Sequence, residues 1–272
     1  METRRVRVSC EFVQFTQAAT PIVMQVRPLQ EAPVVLSQET WTIDPHVETH
    51  AYTDLYENPC LRLTLPVGRS TFRYSAIAEV PDAVEPVDVN APALPADQLP
   101  DDVLIYTLPS RYCVPEMLAE EAVARFGASA PGYQQVQQVL DYVWEHVQFQ
   151  YGSTNSLTTA HDVNVSGLGV CRDFAHPAIS FCRALDIPAR YVFGYLPEID
   201  MEPIANPMDF AAWIEVWLGD RWWTFDPRNN EQRKGRVLIG RGRDASDVAM
   251  VTAFGMPILE SMTVDAREVN GS

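Results

Sequence analysis

Two periods divide the chain. From Arg5 to about Val80, apolar and polar residues alternate in short runs, RVRVSCEF, IVMQVRPL, ETWTI, LRLTLPV and TFRYSAIAEV, with turn residues between them. A period of two sends successive side chains to opposite faces of a strand, so this part predicts an antiparallel β domain of sandwich type. The stretch PDAVEPVDVNAPALPADQLPDD then reads as a linker, which puts the boundary near residue 100 and divides the chain into 1–100 and 101–272. Past it the period becomes helical. PEMLAEEAVARFG is closed by Gly127, and in YQQVQQVLDYVWEHV the residues Val136, Val139, Leu140, Val143 and Val147 share one face. GVCRDFAHPAISFCRAL supplies a third helix with Phe174, Ala178, Phe181, Cys182 and Leu185 at helical spacing. Strands return in ARYVFGYL, AAWIEVWL, RWWTFDP, DVAMVTAF and MTVDAREV. The second part is therefore α+β, its helices packing against an antiparallel sheet.

Composition narrows the function. Twenty basic residues against 36 acidic ones leave a net charge of −16, which repels a phosphate backbone or an anionic membrane surface and argues against nucleic acid as a partner. No run of about 18 apolar residues occurs, and METRRVRVSCEFVQF does not build a signal-peptide core, so no membrane partner and a cytoplasmic location are expected. The five cysteines, Cys10, Cys60, Cys113, Cys171 and Cys182, contain neither a C-x-x-C pair nor a zinc spacing. Neither metal nor cofactor is expected. Calcium is not implied either, because no loop carries its regular acidic spacing.

The chemistry concentrates at Cys171, which stands just behind Gly169 and at the head of the third helix. Unpaired backbone N–H groups and the positive dipole end at such a position favour thiolate over thiol. A nucleophilic thiol needs a base, and AAWIEVWLGDRWWTFD is where one belongs. Gly-Asp suits a two-residue type II′ hairpin loop. With Leu218 paired to Arg221, Trp213 falls opposite Asp226. Ala211, two positions earlier on the same face, becomes a diagonal neighbour of Asp226 roughly 7–8 Å away. A histidine there would complete a Cys-His-Asp arrangement. Position 211 is alanine instead, which accepts no proton.

With GVCRDFAH, DIPARYVFGYL, MDFAAWIEVWLGDRWWTFDPR, IGRGRDASDVAM and, after the linker, PSRYC, the chain resembles the bacterial transglutaminase-like cysteine peptidase family over nearly its whole length. The resemblance implies a papain-like core in which a helix presents a nucleophilic cysteine to a histidine and an aspartate on adjacent strands. Cys171 and Asp226 match two of these roles. Family members usually read D-F-H-A-W where this chain reads DFAAW, so Ala211 occupies the histidine's place. The implied activity is thiolate attack on a peptide or amide carbonyl, an acyl-thioester at Cys171, then hydrolysis or transfer to an amine. With Ala211 present that activity is expected to be impaired or absent. A peptide-binding protein that has lost turnover and an engineered inactive variant are the alternatives. The partner is a peptide, a protein or a small amide.

Other residues weigh less. His161, in the loop TTAHDVNVSGLG, is available as a relocated base because loops fold over sites. His176, five positions after Cys171, is turned about 140° away on a helix and reads as a packing histidine. Pro177 interrupts the cysteine helix, at lower cost if that helix starts at Asp173 as its N-cap. Trp213 is expected to line the cleft beside Cys171. An oxyanion would be met by the Cys171 N–H and a side chain from VQFQYGS. GRGRD reads as a charged turn without a catalytic role.

Overall fold

A computed structural model describes residues 2–31, 33–202 and 208–269. The strand-rich first part holds β1 (Thr3–Thr16), β2 (Thr20–Met24), β3 (Val35–Asp44), β4 (Thr49–Thr53), β5 (Pro59–Leu65) and β6 (Gly68–Pro81). The core follows with α1 (Pro115–Phe126), α2 (Tyr133–His146), β7 (Gln148–Phe149), α3 (Ala160–Ser166), β8 (Leu168–Gly169) and α4 (Cys171–Ala184). The remaining strands are β9 (Ala189–Tyr195), β10 (Ala211–Leu218), β11 (Arg221–Phe225), β12 (Val237–Gly242), β13 (Val251–Ala253) and β14 (Ile258–Glu268).

Alternation does what it predicts in β1, where Val6, Val8, Cys10 and Phe12 are buried while Arg7 is exposed. Two four-stranded antiparallel sheets result, ordered β14-β1-β6-β3 and β13-β2-β5-β4. Their membership corrects the expected division at residue 100. The strands at 251–268, expected in the sheet of the second part, pair with β2 and β1 of the first, Val251 facing Met24 and Glu268 facing Val6. An alternating pattern says which face of a strand is buried, not which edge it joins. The inward face of β1 also reaches the core: the Phe12 ring stacks on Phe210 at 6.3 Å, and the Tyr195 hydroxyl donates to the Val26 carbonyl at 3.0 Å.

The third sheet, ordered β11-β10-β9-β12, has α4 against β10 and β9, and α4 is wrapped in turn by α1, α2 and α3. Every residue of α4 from Asp173 to Arg183 is buried, so its polar side chains depend on protein partners. Arg183 shows how they are met, donating to the carbonyls of Ala189, Leu108 and Arg243. The linker is a strap rather than a tether. Tyr133 N–H donates to the Ala91 carbonyl at 2.9 Å, Gly219 N–H donates to the Pro92 carbonyl at 2.8 Å, and Glu85 accepts from Arg233 N–H at 2.8 Å.

Asn58 joins the strand-rich part to the core's edge strand. Fully buried, it donates to the Arg241 carbonyl at 2.7 Å and accepts from Arg241 N–H at 2.8 Å, so it closes both backbone groups of one β12 residue. Gly240 leaves it the room, since a Cβ there would meet the Asn58 amide at 3.0 Å. Asn58→Ala leaves those groups unpaired in a dry interface. It is expected to cost about 1–3 kcal/mol, read as a lowered urea midpoint at unchanged slope.

Candidate functional site around Cys171

The start of α4 is set by Asp173, which stands at its third position and not at the N-cap that would have lowered the cost of Pro177. Its Oδ2 accepts from Val170 N–H at 2.9 Å and from the Thr154 hydroxyl at 2.6 Å, while its own N–H donates to the Val170 carbonyl at 2.8 Å. A carboxylate at the third helical position thus caps the turn, which makes Cys171 the first residue of the helix. Gly169 permits the turn because a Cβ there would sit 2.5 Å from Asp173 Cβ. Pro177 lies seven residues in, and the helix continues through it to Ala184.

The hairpin has the register expected of it, Leu218 facing Arg221 and Ile214 facing Phe225, with Gly219 at φ +65°. Ala211 heads β10 opposite Gly194 of β9. Cys171 and Ala211 line one cavity of about 400 Å³. No histidine lines it among the described residues. Its walls include the aromatic rings of Phe149, Tyr191 and Phe210, and its charged groups include Asp209 and Arg228. From VQFQYGS it receives Phe149 and Tyr151.

Asp226 is not among the residues that line that cavity. Its buried carboxylate is fully subscribed: Oδ1 accepts from the N–H groups of Asn229 at 3.0 Å and Arg228 at 3.2 Å, and Oδ2 accepts from Asn229 Nδ2 and Arg236 Nη2, both at 2.8 Å. Four donors fill the four lone-pair sites of a carboxylate and leave none for an imidazole. Burial pushes this acid up, but Arg236 and Asn229 outweigh it and hold the group below the ordinary carboxylate range. Arg236 also bonds Glu85 of the linker and lies over the Trp213 ring at 5.0 Å. Trp213 is accordingly a buried plate, 2% exposed, and not the cleft wall expected from its place in the hairpin.

His161 is the second residue of α3, not a loop residue. It is half-buried and absent from the cavity lining, so it is not a base for Cys171 in this structure. His176 is the packing histidine it was expected to be, stacked on Tyr112 at 5.1 Å and accepting from Ala245 N–H at Nε2. Burial pulls it down to about 4. GRGRD is no exposed turn either. Asp244 is fully buried and accepts from Tyr112 N–H at 2.7 Å, which ties this motif to PSRYC.

The electrostatics of the thiol run opposite to its position. Burial pushes Cys171 up to about 11, and the Arg228 charge offsets only part of this. Asp209 is raised too, by burial, with the Phe210 N–H and Arg228 opposing. Neither Asp209 nor Arg228 was singled out from the sequence, although both stand inside the quoted motif. Asp209 sits two residues before Ala211, and Arg228 two after Asp226.

Residues 120–227 match the family model of the transglutaminase-like superfamily. The chain carries a transglutaminase-like core. Over its whole length it is similar to the crystal structure of a provisionally named cysteine protease from Cytophaga hutchinsonii, at 28% identity and a TM-score of 0.89, covering 100% of this chain and 93% of that one. The strand-rich first part of this chain therefore recurs there along with the transglutaminase-like core. An uncharacterized protein of Mycobacterium leprae is 35% identical over 111 residues, 39% of either chain. One of Mycobacterium bovis is 28% identical over 161 residues, 56% of this chain and 51% of that protein. The chain thus spans about half or less of the length of the curated relatives it matches.

Removing Arg236 tests the ionic frame of the transglutaminase-like site. Asp226 is held below its unfolded value of about 3.9, so its contribution to stability is present above that pH and lost as pH falls through the folded value. In Arg236→Gln the buried Asp226 and the partly buried Glu85 lose their counter-charge. The expected cost is about 3–5 kcal/mol near pH 7, shrinking toward pH 4 as the acids take up protons, measured as urea midpoints against pH.

Proposed function

We propose that this protein is a thiol acyl-transfer protein of the transglutaminase-like kind, taking peptide or amide carbonyls at Cys171, whose turnover is impaired or absent. The reading rests on one observation: Cys171 and Ala211 line the same cavity, and among its described residues there is no imidazole. Attack would need the Cys171 proton removed, a thioester carbonyl formed at sulfur, and the leaving amine protonated. A histidine performs both proton transfers in such centres, and general acid–base assistance of that kind is typically worth 10²–10⁴-fold. Nothing at position 211 supplies it.

Two further features favour the binding form of this reading. The thiol is held up to about 11 by burial, so little thiolate exists near neutrality. Asp226, the residue a histidine would lean on, already has four donors. What remains is a walled cavity with a nucleophile in its neutral form, suited to holding a peptide. A cytoplasmic setting belongs to the same proposal. Among the described residues no helix is long and apolar enough to cross a membrane.

Iodoacetamide labelling of Cys171 across pH is expected to show a midpoint well above the free-thiol value of about 8.5. A midpoint at or below it would mean an activated thiol and overturn the impaired reading. Ala211→His is expected to bring peptide-amide hydrolysis to about 10²-fold above the unmodified chain, the low end of the usual range because Asp226 must exchange a donor to orient the ring. No gain would count against position 211 as the base position.

A further inference from the structure

Among the described residues the Arg228 guanidinium has no carboxylate partner, in a chain with acids to spare. Its backbone is pinned, because Pro227 precedes it and its N–H donates to Asp226 Oδ1 at 3.2 Å. The side chain leaves that anchor for the Cys171 cavity, where it lies over the Phe149 ring at 4.4 Å. It is half-buried, and its guanidinium makes no hydrogen bond or ion pair with any described residue. The other two arginines of the cavity are engaged: Arg172 donates to Asp173 and to the Asn155 carbonyl, and Arg233 pairs with Glu231 and donates to the Pro197 carbonyl. Arg228 reaches both reactive groups electrostatically, pulling down the Cys171 thiol and the Asp209 carboxyl against the burial that raises each.

An arginine presents a rigid fork of donors that matches a carboxylate, and stacking on an aromatic face leaves that fork free. Here Arg228 lines a space that Phe149, Tyr191, Phe193, Phe210 and Cys171 also line. One cation unpaired among the described residues, next to the Asp209 acid, suits one negative charge better than the two of a phosphate. We propose that Arg228 is a carboxylate-recognition residue: the cavity takes a peptide-type ligand carrying a carboxylate and an apolar side chain, the carboxylate on Arg228 and the apolar group on the aromatic wall. This deepens the proposed function and rests on it for the statement that the ligand's carbonyl lies at Cys171.

The test compares two alkylating reagents of nearly equal size on the full chain near pH 8, iodoacetate and iodoacetamide, with labelling at Cys171 assigned by peptide mass spectrometry. Cys171 is half-buried and the other four cysteines are buried, which favours selective labelling. Both reagents attack through the same thiolate, so the ratio of their rate constants cancels the thiolate fraction and is independent of turnover. The expected ratio of iodoacetate to iodoacetamide is at least tenfold above that of the unfolded chain, with saturation by iodoacetate alone. Arg228→Gln is expected to return it to the unfolded-chain value and Arg228→Lys to keep part of the preference. A wild-type ratio no higher than the unfolded chain's overturns the proposal. So does a high ratio that survives in Arg228→Gln, which would assign the anion to the α4 N-terminus. As a second readout, N-acetylphenylalanine is expected to protect Cys171 from iodoacetamide while its amide does not; equal protection overturns the proposal. These outcomes leave the Ala211 experiments untouched, so the two readings fail separately.

Discussion

Arg236 carries two carboxylates, the partly buried Glu85 from the strap and the buried Asp226 from the end of β11. A buried ion pair of this kind adds little over a well-packed apolar core, but breaking it strands a charge, so each member constrains the others. The strap is held down because Glu85 has nowhere better to go. The loop after β11 is folded because Asp226 gathers its N–H groups, and that folding aims Arg228 into the cavity. The same saturation withdraws Asp226 from the thiol. One guanidinium thereby shapes the wall of the site and removes the acid from it.

The thiol itself is a contest between two effects. As first residue of α4, Cys171 faces the positive end of a helix, a placement that lowers thiol pKa values elsewhere. Here burial raises the thiol by more than the Arg228 charge and the helix start lower it. The sequence carries the first effect in plain view, as a glycine and a cysteine before an apolar-periodic run. The second depends on how α1, α2 and α3 close around α4, which no local pattern records.

Legibility followed the same line. Period-two and period-3.6 patterns located most of the strands and three of the helices, and the Gly-Asp loop led to the hairpin register, because each depends on residues near in sequence. β4, β12, the two-residue β7 and β8, and α3 were missed. THAYT is fully exposed and shows no alternation, and α3 is only seven residues long, held by its Thr159–Asp162 capping box and left-handed Gly167. Of the expected positions, 171 and 211 line one cavity, and what surrounds them was not legible. Position 226 was found, but the competitor for its oxygens, Arg236, lies ten residues on in a segment without a recognisable motif. Trp213 was placed on the right face, yet the same arginine covers that face.

The pairing of β1 with β14 closes the molecule into a ring of contacts in which Val6 lies beside Glu268. During synthesis the flank of β1 that β14 will cover stays open while roughly 250 residues are added, and loop-closure entropy over that distance slows the final docking. β6 can occupy the opposite flank early. The exposed ladder of N–H and C=O groups on the other side is an invitation to foreign strands until then. Charges along that strand, Arg5, Arg7 and Glu11, give the nascent ribbon a measure of self-protection while it waits.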